Sequence, residues 1–354
     1  MTIFCTLFDS NYLDKGLVMF DSLYNHMSDF KLYTLAMDDT CYKILTDIKA
    51  KFDSYANLIP ISINNFIADS LNSGLAELKQ TRDWGEFCWT CTPYIIDYVI
   101  TRFNEKICTY IDSDLYFYAN PECLIDDMQD KSVQIVEHRL TNSISDRALK
   151  RHSGTYCVQF NTFKNTPEAM NLLRWWKSKC FESASRINTS KVFGDQKYLE
   201  GWETKSFVSV LKNLGGGVAP WNINQYRLIN DGVISKLEEK KTGKIFELIF
   251  YHYHSIKYIT PKKIDIFIYA RNFGVDDKLV SALYIPYLEV LDAKKNFLRE
   301  NYGFYPMISS TSGSSKKNFI DKLKKVTPIK IYLKIRSTLL KIYAHKDIIT
   351  LPDS

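Results

Sequence analysis

No apolar run in the 354-residue chain approaches the ~18 residues of a membrane-spanning helix, so no membrane span is expected. The first residues, Met-Thr-Ile-Phe-Cys-Thr-Leu-Phe-Asp, lack a basic stretch leading into an apolar one, so no secretory signal is expected. Cys88-Trp-Thr-Cys91 has no second Cys-x-x-Cys and no histidines at ligand spacing, which argues against a structural zinc site. The eight cysteines are scattered, mostly in apolar runs, and in a chain without a signal they read as reduced and buried. No Gly-x-Ser-x-Gly or Cys/His arrangement supports acyl transfer. The glycine triplet at 215–217 is neither followed by Lys-Ser/Thr nor spaced as a dinucleotide fingerprint, and it reads as a tight turn. Nor is the chain broadly basic. Between Lys316 and Lys346 nine Lys and one Arg face only Asp321, so this tail carries about +9 of a net +6 and the remainder is near −3. Nucleic acid is not the expected partner.

What is present is an ordinary globular composition, 45% hydrophobic and 24% charged, long enough for one large α/β domain or two modest ones. The 23 Tyr and 21 Phe predict ring-rich clefts able to stack on flat or sugar-like ligands. Apolar runs at 2–8, 30–37 and 56–63 alternate with helical periodicity at 13–27 and 41–52. That order predicts a parallel sheet with crossover helices, whose ligands collect at the carboxyl ends of the strands. Residues 66–82 read as a helical excursion and 87–103 as a long helix with Pro93 in its first turn, returning the chain to a central strand at 107–111. A strand is expected at 133–137, a polar segment at 140–152, and an apolar segment across the cleft at 156–163. The helix at 167–181 carries Trp175 and Trp176, which read as core at that spacing. A helix start is expected at 195–202, one long β-rich run at 245–253, mostly helix at 260–305, and a flexible Ser/Thr/Gly linker at 309–315.

Three polar clusters close these runs. Asp112 and Asp114 end the central strand, and alternate residues of extended backbone point the same way, so both carboxylates can reach one hard divalent cation. Asp9, Asn11 and Tyr12 end the first strand, and Asp38 ends the second, on the same expected rim. His252 and His254 end the last β-rich run, with Lys257 just beyond. Imidazole added to two carboxylates suits Mn²⁺ better than Mg²⁺, which is the alternative ion. Read blandly, Asp-Ser-Asp is a solvated turn and a histidine in an apolar strand is core. Asp195 fits a helix N-cap as well as a catalytic carboxylate. Trp221, after the glycines, is a cleft candidate.

Together these clusters resemble the GT-A fold nucleotide-sugar glycosyltransferases, particularly the family 8 group that includes glycogenin and bacterial lipopolysaccharide galactosyltransferases. The matching residues are Phe8-Asp-Ser-Asn-Tyr12, Tyr110-Ile-Asp-Ser-Asp-Leu115, Gly194-Asp-Gln-Lys-Tyr-Leu199, and His252 through Lys257. The resemblance implies a Rossmann-like, mainly parallel mixed sheet flanked by helices, with a basic helical C-terminal tail. It also implies a UDP-sugar donor and a saccharide acceptor. Phe8, Asp9, Asn11, Tyr12 and Ser113 would contact the nucleotide, with Asp9 and Asn11 on base and ribose. Asp112, Asp114 and His252 or His254 would ligate the metal, and Lys257 would meet the diphosphate. Asp195 and Gln196 would face the donor sugar or the attacking hydroxyl. Three positions depart from the pattern. Ser255 stands where a glycine is usual and no Pro-Trp follows Lys257. Cys91-Thr92 occupies the place of a basic residue in the helix before the central strand. Cys157-Val-Gln159 replaces Asn-x-Gly.

The expected organisation is a catalytic domain at 1–260, a helical extension packed on it at 261–308, the linker at 309–315, and a basic amphipathic tail at 316–354. Such a tail can lie on an anionic membrane surface, which would suit a lipid-linked acceptor and a cytoplasmic protein peripheral to the inner face of the plasma membrane. Two other readings share this sheet. A sugar-nucleotide nucleotidyltransferase should carry a Gly-rich basic loop after the first strand, which Asp9-Ser-Asn-Tyr lacks. A non-catalytic carbohydrate-binding protein would bind glycan without nucleotide or metal.

Overall fold

The computed structural model describes residues 1–187, 192–229, 236–268, 275–305 and 347–351. The linker at 309–315 and the basic stretch at 316–346 lie outside them, as does the proposed membrane contact. Chain packing divides the molecule into two compact units, Met1–Val218 with Phe246–His252, and Ala219–Ile245 with Tyr253–Ser354.

The first unit begins with β1 (Thr2–Phe8), α1 (Leu13–His26), β2 (Phe30–Ala36), α2 (Asp39–Lys51) and β3 (Leu58–Ser62). Short helices α3 (Ile63–Ala68) and α4 (Leu75–Thr81) precede the long α5 (Trp84–Arg102). Then come β4 (Ile107–Ile111), β5 (Leu115–Phe117), α6 (Glu122–Asp126), β6 (Val133–Glu137), α7 (Ile144–Ser153), β7 (Tyr156–Lys164), α8 (Pro167–Glu182) and β8 (Val208–Val210). Seven strands form one sheet in the order β3-β2-β1-β4-β7-β6-β8. β1, β2, β3 and β4 run parallel, while β7 lies antiparallel between β4 and β6. The chain thus moves outward from β1 to β3 and returns on the other side of β1 as β4. This reversal is a topological switch point, and the crevice outside the carboxyl ends of β1 and β4 is where such sheets take ligands.

Local chemistry explains these elements. β1 and β4 are buried on both faces, as their continuous apolar runs require. Asp38 caps α2 by accepting from the Cys41 N–H, Asp83 caps α5, and Thr166 caps α8 ahead of Pro167. Because the cap is Asp83, α5 begins at Trp84 and Pro93 falls in its interior rather than in its first turn. The hydroxyls of Thr90 and Thr92 donate to the carbonyls of Glu86 and Cys88 in this stretch. Residues 156–163 belong to β7 in the main sheet, not to a segment crossing the cleft, because Ile111 pairs with Phe160 and Ile107 with Lys164. Trp176 is buried in the core, whereas Trp175 is 42% exposed. All eight cysteines are free, and none but Cys123 is exposed.

In the second unit β9 (Tyr226–Leu228) pairs antiparallel with β10 (Lys236–Glu239). The expected run at 245–253 is two short strands, β11 (Ile245–Glu247) and β12 (Phe250–His252), with β12 belonging to the first unit. β13 (Lys257–Tyr258), β14 (Lys263–Asp265) and β15 (Ile348–Thr350) form an antiparallel set. Among the described residues of the 260–305 region the helix is α9 (Asp277–Tyr302), against which Tyr253 stacks on Tyr287 at a centroid distance of 3.6 Å.

Candidate active site

The carboxyl ends of β1, β2 and β4 carry the acidic residues that the sequence placed on one rim. Asp9 caps the turn Ser10–Tyr12 by accepting from the Asn11 N–H at 3.0 Å. Asp38 Oδ2 accepts from the Ser10 N–H at 2.7 Å, tying the ends of β1 and β2 together. Phe8 is buried at the last position of β1. Asp112 follows β4, and its N–H donates to the Gln159 carbonyl at 3.1 Å, so β7 extends the pairing beyond Ile111.

His252 reaches these carboxylates through strand register. β12 pairs antiparallel with β5, setting His252 opposite Leu115, next to Asp114. Its Nε2 lies 2.9 Å from Asp114 Oδ1 and 3.7 Å from Asp112 Oδ2. Its Nδ1 meets Gln159 Oε1 at 2.8 Å. The glycine triplet is the support for this strand. Ile249 N–H donates to the Gly215 carbonyl at 2.9 Å and His252 N–H to the Val218 carbonyl at 3.0 Å. A Cβ on Gly215 would collide with the Glu247 carbonyl oxygen, and one on Gly216 would press on Leu124 and Leu211. Glycine is required by close backbone approach, with Arg139 Nη1 holding the Leu214 carbonyl at 2.9 Å.

The electrostatics follow from burial and neighbours. Partial burial pushes Asp112 up to about 6, with His252 opposing and Asp114 adding to the rise. Burial opposes a charge on His252, yet the carboxylates of Asp114 and Asp112 raise it well above an ordinary imidazole. The side chain of Asp112 keeps 29% of its surface exposed against 11% for Asp114 and 4% for His252, so the cluster opens on the Asp112 side.

Asp195 stands near the same carboxylates. Burial pushes its carboxyl up to about 7, the Thr92 hydroxyl opposes, and the charge of Asp112 adds to the rise. Burial pushes the Tyr110 phenol well up with the Thr92 hydroxyl opposing, and Tyr110 in turn opposes the rise at Asp112. Thr92 thus bears on Asp195 from the helix position where a basic residue was expected. Asp195 precedes only the short turn Gln196–Leu199, which its side chain does not cap. Trp176 Nε1–H holds the Asp195 carbonyl at 2.9 Å, and Gln196 Nε2 donates to the Ser153 carbonyl at 2.8 Å.

The first unit therefore carries Phe8, Asp9, Asn11 and Tyr12 at the end of β1, Asp112, Ser113 and Asp114 after β4, and His252 at the end of β12, with Asp195 near Asp112 and Gln196 bonded to the Ser153 carbonyl. His254 and Lys257 belong to the second unit, as does Trp221, whose ring meets His254 edge-on at 5.7 Å. Sequence reasoning saw Gln159 and Thr92 as departures from a pattern without seeing their partners. It missed Trp84 entirely, because its bond to Asp9 spans the fold.

No protein-family model matches the chain. Two proteins of Bacillus subtilis strain 168 are similar over most of their length. The uncharacterized protein YfnD is 26% identical over 293 residues, covering 80% of this chain and 87% of its own. The uncharacterized protein YfnF is 29% identical over 269 residues, covering 74% and 84%. Among solved structures, galactosyltransferase LgtC in complex with donor and acceptor sugar analogues superposes with a TM-score of 0.50. It is 14% identical, with 82% of this chain and 96% of LgtC covered. The fold is GT-A. The switch point of this sheet carries the Asp112, Asp114 and His252 cluster, with the buried Asp195 near Asp112. Among the described residues no helix is long and apolar enough to cross a membrane.

Proposed function

We propose that this chain is a metal-dependent glycosyltransferase moving a hexose from a UDP-sugar to a saccharide acceptor with retention of configuration. The observation that carries this is His252 Nε2 set between Asp112 and Asp114 at the switch point, with Nδ1 committed to Gln159. A histidine fixed through one nitrogen by an uncharged acceptor presents the other to a cation. Within the first unit Asp112, Asp114 and His252 form a mixed oxygen and nitrogen donor set suited to Mn²⁺, and His254 would be the alternative imidazole. When bound, the ion would act as a Lewis acid on the diphosphate, neutralising the departing UDP.

The chain's own residues do the rest. Asp9 and Asn11, with Phe8, Tyr12 and Ser113 beside them, hold the nucleoside, and Lys257 adds a positive charge for the diphosphate. Asp195, with its carboxyl near 7, orients a sugar hydroxyl at neutral pH together with Gln196. Under retention the departing phosphate oxygen takes the acceptor's proton. Under inversion Asp195 would be the base, with Glu137 second. The acceptor is a lipid-linked or surface-polysaccharide saccharide, and the basic stretch at 316–346 would bring the protein to an anionic cytoplasmic membrane face.

The test is turnover or hydrolysis of a panel of UDP-hexoses with and without Mn²⁺, compared with Asp112→Ala and Asp114→Ala. Activity should need the ion and fall to background in both variants. Undiminished turnover in either variant refutes the site.

A further inference from the structure

Trp84 opens α5 and points back to the end of β1. Its Nε1–H donates to Asp9 Oδ2 at 2.8 Å, the same oxygen that accepts from Asn11 Nδ2 at 3.2 Å, while Oδ1 takes the Asn11 N–H. A carboxylate offers about four lone-pair sites. With three donors already on it, Asp9 is largely an organiser of its neighbours. What it organises is aromatic. The Trp84 ring is 38% exposed, with Phe87 beside it at a centroid distance of 6.0 Å. Tyr12, whose N–H donates to the Asp9 carbonyl at 3.0 Å, is 39% exposed, with the Lys15 ammonium 3.9 Å from its ring centroid. One exposed ring is thus fastened by the Asp9 side chain, and the backbone of a second exposed aromatic, Tyr12, is tied to the same residue at the end of β1. A surface indole could satisfy its N–H with water. Holding it costs side-chain entropy, and a fixed flat ring is what a planar ligand needs.

We propose that Trp84 is a base-stacking residue, giving the donor's pyrimidine a π surface beside Tyr12, and that Asp9, besides holding the nucleoside, positions Trp84 and Asn11. This rests on the nucleotide-sugar reading. The carboxylates and imidazole at the end of β4 mark the diphosphate end, so the uncharged rings at the neighbouring strand β1 are left for the base. Stacking is indifferent to phosphate, so the contribution of Trp84 is the same for uridine and for UDP.

Calorimetric titration with uridine and with UDP plus Mn²⁺ tests this, using wild type, Trp84→Phe, Trp84→Ala and Trp84→Gln. Glutamine keeps a donor for Asp9 and discards the ring. Phenylalanine keeps a ring and discards the donor. Trp84→Ala and Trp84→Gln should weaken both ligands by the same factor, roughly 5- to 160-fold, and Trp84→Phe by about threefold or less. Melting temperatures without ligand identify any variant that fails to fold, and the Phe and Gln pair decides if Trp84→Ala does. Wild-type affinity in Trp84→Gln, or a loss confined to UDP, overturns the inference while leaving the nucleotide-sugar reading standing. If wild type binds neither ligand, that reading fails and takes this inference with it.

Discussion

Replacing Gln159 by leucine tests how the cluster at β4 and β12 is held. The Gln159 backbone carbonyl accepts from Asp112 N–H, and its Oε1 accepts from His252 Nδ1 at 2.8 Å, so one residue positions both sides of the cluster. Its Nε2 is buried and makes no hydrogen bond, so removing the amide forfeits one bond only. Leucine keeps the backbone contact and strands the Nδ1–H of a buried imidazole, which costs about 1–3 kcal/mol. Loss of an acceptor behind a metal-binding histidine weakens metal binding by about 10- to 100-fold, or about 1.4–2.7 kcal/mol. Gln159→Glu restores an acceptor of nearly the same shape and makes the bond charge-assisted. The expected calorimetric order of Mn²⁺ affinity is therefore wild type or Gln159→Glu above Gln159→Leu, with ion-free melting temperatures in the same order. If the leucine variant binds Mn²⁺ within twofold of wild type and melts at the same temperature, the His252–Gln159 bond does not position the imidazole.

Gly215→Ala should lower stability by about 1–3 kcal/mol, because its Cβ would lie 2.7 Å from Ile249 Cγ1 as well as against the Glu247 carbonyl. Urea unfolding reads the loss, and Mn²⁺ affinity should fall with it, since the same loop supports β12. Ser255 sits at φ +70°, where glycine is at ease, so Ser255→Gly should gain about 0.5–1 kcal/mol after its entropic cost; an unchanged denaturation midpoint would count against strain there. Burial holds His138 down at about 4, against its hydrogen bond to the Thr155 carbonyl. The unfolded chain therefore binds the extra proton first, so stability is complete above pH 6.5 and drains away between there and pH 4, by about 3 kcal/mol for this group. His138→Gln should flatten that part of the curve of unfolding free energy against pH; an unaltered slope would show that His138 is not the source.

The parallel sheet was legible because each strand is an apolar run of the right length closed by Asp, Asn or Ser. Parallel order follows from helices between strands. The misplaced elements share a cause. Pro93 suggested a helix start, but the Asp83 cap lies upstream. The run at 245–253 looked like one strand, yet the Leu248-Ile249 link between β11 and β12 lets the Gly215 carbonyl take two of its N–H groups. Residues 156–163 were assigned to the cleft because an isolated apolar segment does not say which neighbour it pairs with.

The amino-acid sequence alone determined the acids and imidazoles, their order, and the strand ends that carry them, because backbone alternation and apolar run length are local properties. It also determined that Gly215–Gly217 marks a turn. Only the tertiary structure decided that Gln159 faces His252 and that Asp9 holds Trp84. These are single hydrogen bonds between residues separated by tens of positions or more. Their existence depends on strand register and helix rotation, which packing sets and no local pattern encodes.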